Sequence, residues 1–151
     1  WAFEYLDGTP YIAIGQNLGW ANDGRLAKYR KWIEGMAAND CNFIRIWFGA
    51  RWCFGVQGKE PYVYNEDAAE LMDRVLELCE ERGGAIKFCL GDNIDGYLPP
   101  RGGPFTECER KLDFLTKESA KTQWKAIQRY CVARYGASTS IFANAASVSV
   151  L

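Results

Sequence analysis

The stretch Cys41-Asn42-Phe43-Ile44-Arg45-Ile46-Trp47-Phe48 has the composition of a buried strand, yet it carries a guanidinium in its middle. Apart from Asn42 and Arg45, every residue in it is apolar or aromatic. Strand alternation puts Phe43, Arg45 and Trp47 on one face and Ile44, Ile46 and Phe48 on the other. Breaking a buried ion pair costs about 3–5 kcal/mol. The Arg45 face therefore needs a carboxylate or open water.

The rest of the chain builds outward from this strand. Upstream, "FEYLDGTPYIAIG" reads as a hairpin turned at Asp7-Gly8, occupying about residues 1–13 and running into a strand near residues 11–14. Leu26, Tyr29, Ile33 and Met36 then recur at helical spacing, with Asp23 as the candidate N-cap. Downstream, Ala68, Met72, Val75, Leu76 and Cys79 share one face of a second helix that stops at Gly83-Gly84. "IKFCL", residues 86–90, is the next strand, and residues 91–116 read as one long polar loop. Ala120, Trp124, Ile127, Cys131 and Tyr135 form the stripe of a third helix ending at Gly136, and "SIFANAASVSVL" supplies a fourth strand.

The order is thus a hairpin followed by β-α-β-α-β-α-β, which implies an α/β fold with a parallel sheet and right-handed helical crossovers. All 151 residues form a single domain, with no linker or low-complexity segment. Two architectures accommodate four such strands: an open flavodoxin-like sheet, or a (β/α)4 half of a TIM-type barrel, whose full form takes about 250 residues. The turn "GQNLGWANDG" has glycines at 15, 19 and 24 and does not match the dinucleotide fingerprint, and there is no phosphate-cradling Walker motif.

Composition excludes other classes. A net charge of −1, from 18 basic and 19 acidic residues, offers nothing to nucleic acid or an anionic membrane. No apolar run approaches the ~20 residues of a membrane span. The absence of histidine removes Ser-His-Asp and Cys-His triads and His-based metal sites. Six cysteines without a C-x-x-C pair argue against a zinc ribbon, and no metal or cofactor is expected. Cys41, Cys79, Cys89 and Cys131 fall on apolar faces as buried thiols, whereas Cys53 and Cys108 fall in loops and could form a disulfide if the protein is secreted, a pairing the sequence alone does not decide. Six Trp and eight Tyr fill a core or furnish a cleft whose aromatic faces stack on sugar rings.

"YLDGTPYIAIGQNLGWAND" and "WIEGMAANDCNFIRIWFGARW" together resemble the N-terminal half of clan-A glycoside hydrolases, most nearly the cellulase and mannanase barrels of family five. The likeness runs from about Phe3 to Gly136. Its most specific element is the second-strand "N-x-I-R-I", although Asp40-Cys41 stand where the family has Gly before that Asn. The resemblance implies a secreted, retaining β-glycanase acting on a β-linked polysaccharide or oligosaccharide, with two glutamates about 5–5.5 Å apart. It assigns Arg45 to orienting the nucleophile and keeping it ionised. By the same resemblance Asn17 hydrogen-bonds in the cleft floor. Trp20, Trp47 and Trp52 lie at strand C-terminal ends as sugar platforms, with Asp92 and Asn93 as the polar candidates of the third loop.

The likeness fails at the fourth strand. Where the family carries an acid/base glutamate the sequence reads "NAASVSVL", and Asn144 cannot donate a catalytic proton. The nucleophile's strand is missing as well, and Glu60, Glu107 and Glu109 are better explained as solvated loop residues. The chain is therefore expected to be catalytically incomplete. One reading makes it half of an enzyme that needs a complementary half-barrel or a second copy. The other makes it a truncated or engineered half-barrel that is not catalytic and self-associates, two copies closing eight strands with twofold symmetry. A weaker third reading is an open α/β module for another small ligand.

Overall fold

The computed structural model describes residues 3–19, 21, 25–47, 60–91, 98 and 103–146. Phe3–Glu4 (β1) and Pro10–Tyr11 (β2) pair antiparallel as the expected hairpin. Gly8 takes a φ of 84°, and the Asp7 carboxylate accepts the Thr9 N–H at 2.9 Å to close the turn. Gly15–Asn17 (β3) and Phe43–Trp47 (β4) flank the helix Arg25–Ala37 (α1). The helix Glu66–Glu81 (α2) leads to Ala85–Gly91 (β5). Lys111–Thr116 (α3) and Glu118–Tyr135 (α4) precede Ile141–Ala146 (β6).

β3, β4, β5 and β6 form one parallel sheet in sequential order. A flavodoxin-like sheet would reverse its strand order at a switch point. Sequential order with right-handed crossovers instead puts α1, α2 and α4 on one side, as in part of a barrel. Ile44, Ile46, Ile86 and Phe88 are buried in one cluster with Ile33 and Met36 of α1, Met72, Val75 and Cys79 of α2, and Ile127, Cys131 and Tyr135 of α4. Phe43, Arg45, Trp47 and Lys87, which alternate with them, are only half-buried.

The helices follow their sequence stripes. In α2 the Asn65 side chain caps the Ala68 N–H at 3.1 Å, and Glu66 and Asp67 sit in the first turn, where the helix dipole favours negative charge. α4 is tied to α2 by Arg134, whose guanidinium meets Asp73 at 2.8 Å and Glu66 at 2.5 Å. The proposed Asp23 cap of α1 lies outside the described residues.

Two expectations about elements are corrected. The strand expected near residues 11–14 is displaced: β2 ends at Tyr11, and the first strand of the parallel sheet begins at Gly15. Asn42 is the reason. Its amide donates to the Ile12 carbonyl at 3.0 Å and accepts the Ile14 N–H at 2.9 Å, so a side chain takes the place of ladder bonds there. The second correction is α3, inside the segment read as loop. Asp113 organises it, accepting the N–H of Glu109 at 3.0 Å and of Arg110 at 3.1 Å. A lone Asp in a six-residue helix leaves too little periodicity to read.

Replacing Asn42 with Ala should remove both side-chain bonds and lower stability by about 1–2 kcal/mol, since each typical hydrogen bond contributes about 1 kcal/mol. The shift of the urea midpoint at unchanged slope measures it. The amides, Glu109 first, hold the Asp113 carboxyl below its ordinary value of 3.8. A group depressed in the folded state stabilises above its unfolded pKa, and that contribution disappears as pH falls through the folded value. Asp113→Asn should therefore weaken the fold at neutral pH and flatten its acid limb, as urea midpoints across the acid range would show.

Candidate functional site

The sheet register lines up Asn17, Arg45 and Lys87 side by side on the face turned away from the helices. On β6 the residue paired with Lys87 is Ala143. Arg45 is half-buried. Its Nε donates to the Cys89 Sγ at 2.9 Å, and its guanidinium carbon lies 5.5 Å from the centre of the Trp47 ring. Trp47 and Cys89 are paired one step further along β4 and β5. The guanidinium thus leans toward the C-terminal end of the sheet and stays partly open, as a cleft-facing arginine would. Among the described residues, no carboxylate lies within ion-pairing distance of Arg45 or Lys87.

Beside this row the free edge of β3 borders two hollows. One, of about 450 Å³, is lined by Gln16, Asn17, Leu18, Gly19, Trp32 and Trp47. The other, of about 310 Å³, shares Gln16, Leu18 and Trp32 and extends along α1 to Gly35, Met36 and Asn39. The chain beyond β3 stays in step with β4: the Leu18 N–H donates to the Arg45 carbonyl at 2.9 Å, and the Trp47 N–H to the Gly19 carbonyl at 3.4 Å. Gly19 sits over the Trp47 ring, where an added Cβ would approach to 4.0 Å. The hollow therefore has an aromatic wall and an amide beside it, the composition of a small polar-ligand cleft.

The structure thus brings Asn17, Arg45 and Trp47 together. Trp20, Trp52, Asp92 and Asn93 lie outside the described residues. Glu60 and Glu109 are exposed and Glu107 is half-buried. Asn144 belongs to β6, paired with Phe88. Three residues here were not singled out from the sequence: Trp32, Asn42 and Lys87. Trp32 follows Tyr29 at i+3, and their rings meet edge-on at 5.6 Å. Lys87 carries the same signal as Arg45, a cation in the middle of an apolar strand.

The described cysteines are free thiols. Cys79, Cys89, Cys108 and Cys131 are buried and free, and Cys41 is half-buried and free. Desolvation pushes Cys79 and Cys131 up to about 12 and Cys108 up to about 11. Cys108 belongs to the core cluster with Phe105 and Phe114 and is a free thiol, while Cys53 lies outside the described residues. Among the described residues, no group of acidic or cysteine side chains could hold a metal ion.

Solved structures share this fold. The endo-1,4-beta-mannanase from Rhizomucor miehei superposes with a TM-score of 0.71 at 14% identity, over 96% of this chain and 45% of its own. The exo-beta-1,4-mannosidase from an Opitutaceae bacterium, strain TAV5, gives 0.75 at 16% identity, over 99% of this chain and 27% of its own. The endo-beta-1,4-mannanase from Thermotoga petrophila gives 0.69 at 18%, over 97% and 36%. No protein-family model and no curated sequence matches the chain. The chain therefore has the fold of part of a glycoside hydrolase barrel and spans less than half the length of these structures.

If Arg45 were one side of a local ion pair, its removal would cost about 3–5 kcal/mol. Without a carboxylate nearby among the described residues, Arg45→Met should instead be neutral or stabilising by up to about 1 kcal/mol. Thermal and urea denaturation of the two proteins distinguish these outcomes.

Proposed function

We propose that this chain is the first half of a retaining β-glycanase barrel directed to β-1,4-mannan, and that it is catalytically silent by itself. The observation that carries the reading is Arg45, which leans toward the C-terminal strand ends beside Asn17 and Trp47 without a carboxylate partner among the described residues. In a retaining hydrolase one carboxylate attacks the anomeric carbon while a second protonates the leaving oxygen. A guanidinium at the Arg45 position lowers the pKa of the attacking carboxylate, which must be ionised to act. Trp47 offers an apolar ring to a sugar face, and Asn17 donates to or accepts from its hydroxyls. Residues 141–151 contain no glutamate, so the acid/base role has no occupant on β6. That these solved neighbours are mannanases and a mannosidase supports β-mannan as the substrate class.

Calorimetric titration with β-1,4-mannohexaose should detect binding, and Trp47→Ala should weaken it by roughly tenfold, equivalent to about 1.4 kcal/mol. No reducing ends should appear when the chain is incubated with β-mannan. Hydrolysis by the isolated chain would overturn the silent assignment. Failure to bind mannohexaose would remove the sugar-directed one.

A further inference from the structure

We infer that the turn at residues 60–63 is a second sugar-contacting element, in which Tyr62 gives its ring to a distal unit of the glycan chain and Glu60 accepts from that unit's hydroxyls. This rests on the glycanase reading above and adds a residue that holds the polymer beyond the Trp47 hollow.

The backbone of this turn conflicts with its sequence. Pro61 fixes φ at the second position, and the Val63 N–H donates to the Glu60 carbonyl at 3.3 Å. Tyr62, at the third position, takes a φ of 61°. A turn led by Pro with a positive φ there wants Gly or Asn, because a Cβ crowds the backbone in the left-handed region. Gly would close the same turn without strain. Among the described residues the Tyr62 hydroxyl makes no hydrogen bond and its ring meets no other ring, and the residue is 54% exposed. The strain therefore holds an aromatic ring in solvent. Strained backbone of this kind collects at ligand-contacting positions.

The residues after the turn brace it. Tyr64 stacks on Tyr130 of α4 with ring centres 4.0 Å apart and planes 9° from parallel, and the Tyr130 hydroxyl donates to Glu66 at 3.0 Å. On its other side the turn borders a narrow crevice against Pro104, Gln123 and Ile127. α2 runs back from the C-terminal end of β4 to the start of β5, so the turn before it lies at the strand ends toward which Arg45 leans. An exposed carboxylate stands two residues from the ring, at Glu60. A pyranose uses both: its C–H face stacks on the aromatic ring and its hydroxyls donate to the acid. A purely apolar ligand would leave Glu60 without a role.

Tyr62→Gly is the probe, because it removes the ring and relieves the backbone in one step. Its melting temperature should match or exceed that of the wild type. Its dissociation constant for soluble β-mannan, read from retardation in native affinity gels, should nevertheless rise about three- to tenfold. Tyr62→Phe keeps the ring and should bind like the wild type. Unchanged retardation of Y62G, or a Y62F as weak as Y62G, would overturn the inference. A Y62G that melts well below the wild type would overturn it too, since Tyr62 would then serve packing. Trp47→Ala in the same gels tests the glycanase reading separately: retardation weakened in W47A but not in Y62G sinks this inference alone, whereas a wild type that β-mannan does not retard sinks both.

Discussion

The register of β3 against β4 is the constraint on which the rest of the open face depends. β3 is three residues long and lies at the sheet edge, so few ladder bonds hold it. A slip of one residue would turn Gln16 toward Arg45 and carry Asn17 to the helix side. Asn42 prevents this by holding Ile12 and Ile14 with its side chain, while the N–H groups of Asn42 and Phe43 both donate to the Ile14 carbonyl, at 2.9 and 3.1 Å. Gly15 adds a steric stop. An added Cβ there would fall 1.5 Å from the Phe43 carbonyl oxygen, so the close approach of β3 to β4 tolerates no side chain. The hairpin, the strand edge and the Asn17–Arg45 pairing are thus one mechanical unit.

The two faces of β4 have opposite chemistry for one reason. Ile44 and Ile46 are covered by the helices and are buried to 3% and 0% exposure, and this cover supplies most of the folding drive. The opposite face receives no layer within the described residues, so it accommodates groups that a closed core would reject. Arg45 and Lys87, both half-buried, stand on that face.

The helices and the inner strands were legible because their apolar residues recur with the period of the element. Ala68, Met72, Val75 and Cys79, read as a stripe, are buried against the sheet. The alternation within residues 43–47 likewise predicts the observed faces. Reading was poorest where a side chain substitutes for backbone pairing. Asn42 displaces the first strand of the sheet, and Asp113 makes a helix of a supposed loop, because one hydrogen-bonding side chain leaves no periodic trace. Cys108 misled for a related reason: a loop position by sequence is a core position once Phe105 and Phe114 fold over it. Of the residues of this row, Asn17 and Arg45 were singled out through the family resemblance and Trp47 also from its place at a strand end; Lys87 was not, because its place beside Arg45 is set by register.

By itself the sequence determined the order of strands and helices, the side of β4 that faces the helices and the oddity of an arginine on the other side. These follow from periodicity and from the cost of burying charge, both local properties of the chain. Tertiary structure alone decided that the strands lie in sequential order and that Asn17, Arg45 and Lys87 share one row. It also decided that no described carboxylate reaches Arg45 or Lys87. Which residues stand side by side across a sheet depends on register between segments distant in sequence, and no local pattern encodes it.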